Sequence, residues 1–380
     1  MELKKCEFIL MNKDEPLAVL GVQSNIAYLK EELRRLPGFL KNINEWINNR
    51  TSPFGRNNIN ILLKYGNINN KVDFLFKIKG ISLNDTLWIN NTYSSTEWSK
   101  VNPYRNRLSR IISLVALDCN YIGGRLDSPS PEYRLDGVTD KCWKRINGKI
   151  YLYKTDVEGY SGVVGNRPYC EYYASQVARA LGLSSYVRYN IKVRNTQEGF
   201  KKAYVISEIF TNEDFGFMPI GNTKYRYNSI EELDRLLVQS DSSRLILRET
   251  LILDSITLNF DRHTGNYGFL IDNDNLSIKG MAPVFDNDCS LGPFTSLQNR
   301  TIKDAYKELI KTRGPCTYVN GGGYINQARW AMTDDIKQRI KNIYPFKLTR
   351  IGGDNDITDD RVNFMEFIIN SQIKSILQVV

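Results

Sequence analysis

The sequence predicts an α+β protein of two lobes, a strand-rich one followed by a helical one, with a small accessory region in front of them. Three observations carry that expectation. Residues 126–215 alternate β-favouring runs with one amphipathic helix in the order β-β-α-β-β. From 216 to 380 the apolar period becomes helical, broken only by one hairpin pattern. The chain, at 380 residues with 42% apolar and 24% charged residues, is long enough for two or three units with a substantial core.

The elements follow in order. Residues 6–22 read as strand, turn and strand, with LMNKDEPLAV supplying the turn. YLKEELRRLPGFLKNINEWI then has helical periodicity up to an Asn-rich breaker near 48–60. Residues 60–125 hold ISLNDTLWI and an apolar helix candidate, RLSRIISLVALDC, and suggest no chemistry of their own. Residues 1–125 are therefore expected to form the accessory region, a β-hairpin with helices. At 126 the texture changes to GGRLDSPSPEYRLDGVT, whose Gly, Pro, Ser and Asp mark a loop. KIYLYKTDV is a strand of β-favouring residues, and RPYCEYYASQVARALGL is a helix with Tyr173, Val177, Ala180 and Leu181 on one stripe and Gly182 at its close. VRYNIKV and KAYVISEIF complete the first lobe. The second lobe opens with the helix SRLILRETLILDSITL, which ends at Asn259. YGFLIDNDNLSIKGMAPVFDNDCSLGP reads as two strands joined at an Asp-Asn turn and leads into an acidic cluster. DAYKELIKTRG, TDDIKQRIKNIYP and DDRVNFMEFIINSQIKSILQVV are helical, and no internal repeat is apparent.

Composition narrows the function classes. The six cysteines are scattered without a CxxC pair, and with a single histidine they make no zinc set, so reduced thiols are expected. The net charge of +9 is spread along the chain with no block of five like charges, which argues against direct nucleic-acid binding. The N-terminal apolar run is too short for a signal peptide and the longer apolar segments are interrupted by charge, so no membrane association and a cytoplasmic location are expected.

The only histidine, His263, lies in NFDRHTGNYGFL, between two apolar runs. Asp261 and Asn266 are five residues apart across a turn that Gly265 can relax, and Asp286 stands twenty residues beyond Asn266 at the end of the hairpin pattern. Phosphoryl transfer needs a carboxylate to orient and deprotonate an attacking hydroxyl, and oxygen ligands to hold Mg²⁺ on the phosphates. In the protein-kinase pattern the catalytic Asp and metal-binding Asn have this spacing, and a second metal-binding Asp follows a hairpin. The fold class sharpens to a bilobal protein-kinase-like fold. The plain alternative is that Asp261 and Asn266 only cap a turn, but turn chemistry alone calls for no second acidic site.

A kinase also needs a cation on the nucleotide phosphates held by a helix carboxylate. Lys154 ends the strand IYLYK and Glu171 lies early in the next helix; Lys149 and Lys144 compete for the first role, and either charge alone is commonly just solvated. The loop in front has one glycine in RLDGVTD, with hydroxyls and backbone N–H groups to cover phosphates.

IYLYKTD, EYYASQVARALGL, ISEIF, NFDRHTGNYGFL and MAPVFDNDCSLG, taken in order over about 126–310, resemble the HipA-like serine/threonine kinases, which are related to the cell-translocating kinases. ISLNDTLWI and the N-terminal hairpin also look like the leading region of shorter members. The resemblance implies Asp261 as catalytic base, Asn266 and Asp286 as Mg²⁺ ligands, Lys154 as the ATP-phosphate lysine and Glu171 as its partner. It implies an adenine hinge at the backbone of Glu208, Ile209 and Phe210. It also implies a phosphate loop near 126–140 that autophosphorylation can eject, with Ser128, Ser130 and Thr139 as candidate sites. His263, two positions after Asp261, is expected either to donate to the γ-phosphate or to hold the loop through backbone hydrogen bonds. Arg262 is expected to pair with a neighbouring acid, and Asp288 is a reserve carboxylate beside Asp286.

The leading expectation is an ATP- and Mg²⁺-dependent kinase acting on protein hydroxyls, toxin-like or regulatory, with a protein substrate and an antitoxin-like partner. One competitor is an atypical kinase for a lipid or small molecule, against which stands the lack of a basic amphipathic membrane helix. Another is a non-catalytic nucleotide-binding regulator, against which stand the intact Asp261, Asn266 and Asp286.

Overall fold

The computed structural model describes residues 6–23, 26–40, 43–50, 71–92, 94–118, 131, 139–156, 165–195, 201–223, 229–316, 322–352 and 355–379. The chain opens with β1 (Cys6–Asn12), β2 (Glu15–Gln23) and β3 (Ile26–Glu32), followed by α1 (Ile43–Arg50) and α2 (Lys71–Lys77). Next come β4 (Leu87–Asn91), α3 (Trp98–Val101) and α4 (Arg110–Asp118). β1, β2, β3 and β4 make one antiparallel sheet in the order β3-β2-β1-β4.

The helix expected to begin at YLKEELRRL is instead strand up to Glu32, with a single 3-10 turn at Gly38–Leu40 and α-helix only from Ile43. β3 pairs along β2 from Ala18 to Gln23, so the ladder overrides the helix propensity of the Lys-Glu-Glu run. The charges Lys30, Glu31 and Glu32 then lie on an exposed sheet edge, where charge discourages further pairing. Pro37, which lacks an N–H donor, stands where the expected helix would have continued.

The second sheet carries the strand-rich lobe. β5 (Lys141–Ile146) and β6 (Lys149–Thr155) form a hairpin; α5 (Asn166–Ala180) follows, then β7 (Tyr189–Asn195) and β8 (Lys201–Glu208). Their order, β5-β6-β8-β7, places β6 in the interior beside β8. Tyr173 and Val177 of α5 and Leu181 just after it are buried, as the stripe predicts, although Ala180 is exposed. Gly182 closes it at φ +63°, a conformation in which a Cβ would be strained.

β9 (Phe215–Pro219) then pairs with β10 (Gly268–Asp272), which pairs with β11 (Ile278–Met281). Between β9 and β10 lie α6 (Ile230–Leu236) and α7 (Asp241–Thr257). The rest is helical: α8 (Ile302–Thr312), α9 (Gly323–Ala331), α10 (Asp334–Ile343) and α11 (Asp359–Val379). The architecture is α+β, with the strand-rich part before the helical part. The largest core runs from Tyr173 and Val177 of α5 through Leu251 and Ile256 of α7 to Phe364 and Ile368 of α11. Truncating the fully buried Phe364 to Ala should cost about 3–5 kcal/mol.

The first sheet does not stand apart. Ile112 and Val115 of α4 pack with Cys142, Tyr153 and Tyr204 of the second sheet. The Leu83 carbonyl accepts from the Thr211 hydroxyl at 2.5 Å, the Asn84 carbonyl accepts from the Phe217 N–H at 2.5 Å, and Asn102 donates to Glu213 at 2.6 Å. The leading region therefore braces residues 211–217, the end of the linker after β8 and the start of β9.

Candidate active site

α7 delivers the chain to the His263 loop. Its N-terminus is capped by Ser240, whose hydroxyl accepts from the Ser243 N–H, and it ends at Leu258 in the left-handed conformation, φ +54°. The turn beyond is fixed from within. Arg262, almost wholly buried, meets both oxygens of Asp254 at 2.9 and 3.0 Å. The same guanidinium donates to the carbonyls of Asn266 and Phe285 and, at 2.5 Å, to Asn287 Oδ1. One buried side chain thus ties the loop after α7 to the loop after β11.

Asn266 donates its amide to the Asp261 carbonyl at 2.8 Å, which leaves its Oδ1 as the acceptor. His263 is exposed, and its Nδ1 accepts from the Gly265 N–H at 3.0 Å. In the neutral ring the proton is then on Nε2, so the backbone bond that shapes the loop also sets the imidazole as a donor toward solvent. A Cβ on Gly265 would stand 2.8 Å from His263 Cε1. Glycine here leaves room for the ring in this position rather than, as the sequence suggested, relaxing the turn.

Lys154 on β6 is buried among carboxylates. Its Nζ lies 3.3 Å from Glu171 Oε2, 2.6 Å from Asp288 Oδ2 and in contact with Asp286 Oδ1. Arg167, in the first turn of α5, donates to both Asp288 oxygens at 2.8 and 2.9 Å. Asp286 itself has φ +57°, a strained value for a non-glycine residue. Asp261 is near enough for the charges of Asp286 and Asp288 to act on it, and Cys289 Sγ lies 3.8 Å from its Oδ2.

The electrostatics follow from crowding. Burial pushes the Glu171 carboxyl up to about 7 against the pull of Lys154, and Asp286 and Asp288 push the same way as burial. Burial opposes the Lys154 charge, but Asp286, Asp288 and Glu171 overcome it and hold the amine protonated well above its ordinary range. Burial also lifts Asp261 above the usual aspartate range, offset by His263 and reinforced by Asp286 and Asp288. Asp288 is the opposite case: burial would raise it, yet Lys154 and Arg167 hold it well below that range.

The structure therefore brings Lys154, Glu171 and Asp286 together, with Asp261 and Asn266 on the adjoining loop. Asp288, a reserve by sequence, is a full member. Glu171, Asp286 and Asp288 each offer a carboxylate oxygen within 4.8 Å of the others, a hard-oxygen set that fits a divalent cation such as Mg²⁺. The hinge reading needs adjustment at Ile209: its N–H donates to the Ile150 carbonyl at 3.0 Å and extends the ladder. Glu208 is exposed and pairs with Lys149 at 2.9 Å, whereas the Phe210 ring packs on Phe285, which precedes Asp286, at 5.3 Å between centroids. Thr139 is 1% exposed, so its hydroxyl is closed to phosphorylation in this conformation; Ser128 and Ser130 lie outside the described residues. Sequence reasoning missed Arg167 and Tyr189. Arg167 carried one signal, a cation in a first helical turn, where acidic residues are usual.

Among the described residues no helix is long and apolar enough to cross a membrane. No protein-family model and no curated protein matches the sequence. Among solved structures the chain is similar to the proinflammatory kinase CtkA of Helicobacter pylori, with 16% identity over 63% of this chain and 92% of that one, TM-score 0.44. It is also similar to a MAP kinase of Leishmania major, with 11% identity over 62% and 75% and TM-score 0.21. Similarity at these levels carries no weight beside the geometry of the chain itself.

Proposed function

We propose that the chain is an ATP- and Mg²⁺-dependent phosphotransferase acting on hydroxyl groups, with a serine/threonine protein kinase of HipA type as its specific form. One observation carries the reading. Lys154 meets Glu171 at 3.3 Å and contacts Asp286, which lies 132 positions along the chain, so strand, helix and post-hairpin loop converge as phosphoryl transfer requires.

In this reading the Lys154 ammonium exchanges its Asp286 contact for the nucleotide phosphates, while Glu171 keeps it in place. Asp286 and Asn266 Oδ1 are the proposed metal ligands, with Asp288 beside them. Bound Mg²⁺ would neutralise charge on the phosphates and orient them. Asp261 aligns the acceptor hydroxyl and takes its proton as the oxygen bonds to the γ-phosphorus and the bond from that phosphorus to the β–γ bridging oxygen breaks. A carboxylate lifted above the ordinary aspartate range is a better base for that step. His263 Nε2 is the proposed donor to the transferring group. The proposed partners are a protein substrate and an antitoxin-like protein.

Incubating the protein with labelled ATP and Mg²⁺, alone, with protein extract and with lipid vesicles, tests the reading. Label on protein serine or threonine supports it. Label only on lipid moves the acceptor class, and no transfer under any condition, with metal and nucleotide both bound, overturns it.

A further inference from the structure

A tyrosine outside the motif bridges the two halves of this site. Tyr189 opens β7, opposite Ser207 of β8. Just before it, the chain runs beside the strand end that leads to Asp286. The Val187 N–H donates to the Val284 carbonyl at 2.8 Å, the Val284 N–H donates to the Ser185 carbonyl at 3.0 Å, and Tyr186 and Val284 form a parallel bridge. Where this pairing stops, a side chain continues it: the Tyr189 hydroxyl accepts the Asp286 N–H at 3.1 Å. The charge of Glu171 lies close enough to act on the same hydroxyl.

Asp286 therefore has its peptide gripped on both sides. The Phe285 carbonyl accepts from Arg262, and the Asp286 N–H donates to Tyr189. A left-handed aspartate persists only when its surroundings over-determine it. We infer that Tyr189 is a positioning residue whose hydroxyl, through the Asp286 N–H, sets the metal-facing carboxylate of Asp286 against the strand-rich sheet. The inference rests on reading Asp286 as a metal ligand, and it does not need Tyr189 to touch nucleotide or metal.

Tyr189→Phe keeps the ring and removes only the oxygen. Groups that orient metal ligands typically change metal affinity by about 10–100-fold. Titrating Mn²⁺ into the full-length protein, with free ion followed by electron paramagnetic resonance, should show binding at least about tenfold weaker in the variant. Melting in EDTA should fall by only a few degrees, about what one lost hydrogen bond costs a chain of this size. A role in packing alone would lower the melting temperature and leave Mn²⁺ affinity unchanged. Equal Mn²⁺ affinity in the two proteins, or none in the wild type, overturns the inference. Should the variant not fold, hydrogen exchange of the wild-type Asp286 amide decides: slow exchange supports the bond to Tyr189, and exchange at the rate of an open loop contradicts it. These measurements need no phosphate transfer, so they read the role of Tyr189 separately from the kinase assignment.

Discussion

Arg262 and Lys154 are both buried cations facing carboxylates, yet their surroundings are opposite in kind. Arg262 meets one carboxylate, Asp254, through two hydrogen bonds, and its remaining donors go to the neutral oxygens of Asn266, Phe285 and Asn287. Charge is matched one to one and every direction is filled. Around Lys154 the balance is lost: Glu171, Asp286 and Asp288 surround it, with Asp261 and Asp156 acting on their neighbours, against Lys154, Arg167 and Lys141. Among the described residues, three carboxyls crowd the one Lys154 amine. A balanced buried pair holds a scaffold, whereas an uncompensated cluster costs stability and persists where a cation is to be received.

The largest expected effect lies on the unbalanced side. Asp261→Asn should lower phosphate transfer by about 10²–10⁴-fold, the worth of a general base, while ATP binding survives. Its melting temperature should not fall, because the fold holds the ionised form of Asp261 at a disadvantage. Comparable transfer rates in the two proteins would remove Asp261 from the role of base. Arg262→Ala, on the balanced side, should cost about 3–5 kcal/mol by leaving Asp254 buried and unpaired, read as a lowered urea midpoint. A loss of activity without that loss of stability would erase the contrast between the two centres.

A pH series sharpens the same comparison. The folded-state value of Glu171 is raised to about 7 from an ordinary 4.5. Between those values the folded protein keeps a proton that the unfolded chain releases. The stability this contributes is complete below about 4.5 and is lost as pH rises through about 7. Glu171→Gln should therefore gain on the wild type as pH rises across that window in EDTA. Parallel stability curves would show that Glu171 is not held in its neutral form. The smallest effect is expected at Gly265→Ala, where the exposed His263 ring can swing away from a new Cβ. Transfer should drop several-fold with melting almost unchanged, and full activity would show that the ring position does not matter.

The sequence made legible what depends on local chemistry. Asp261, Asn266 and Asp286 stand out because turn and hairpin signals fix their spacing, and the stripe of Tyr173 and Val177 marks α5. What stayed hidden depends on contacts distant in sequence. β3 reads as helix because its pairing with β2 cannot be seen in its own residues. Tyr189 looks like any strand tyrosine until the chain at 185–187 is laid beside Val284. Asp288 gains its place only when Lys154 and Arg167 arrive from another lobe. Much of the bracing of residues 211–217 by the leading region rests on backbone carbonyls at Leu83 and Asn84, which carry no sequence signature.

The central claim is that the carboxylates around Lys154 are a magnesium-nucleotide site. Diffraction from crystals grown with Mn²⁺ and a non-hydrolysable ATP analogue tests it most directly. The account predicts an anomalous peak on the Asp286 carboxylate, with the Lys154 amine moved from that carboxylate to a phosphate oxygen. A peak elsewhere, or a nucleotide bound away from Lys154, would contradict it.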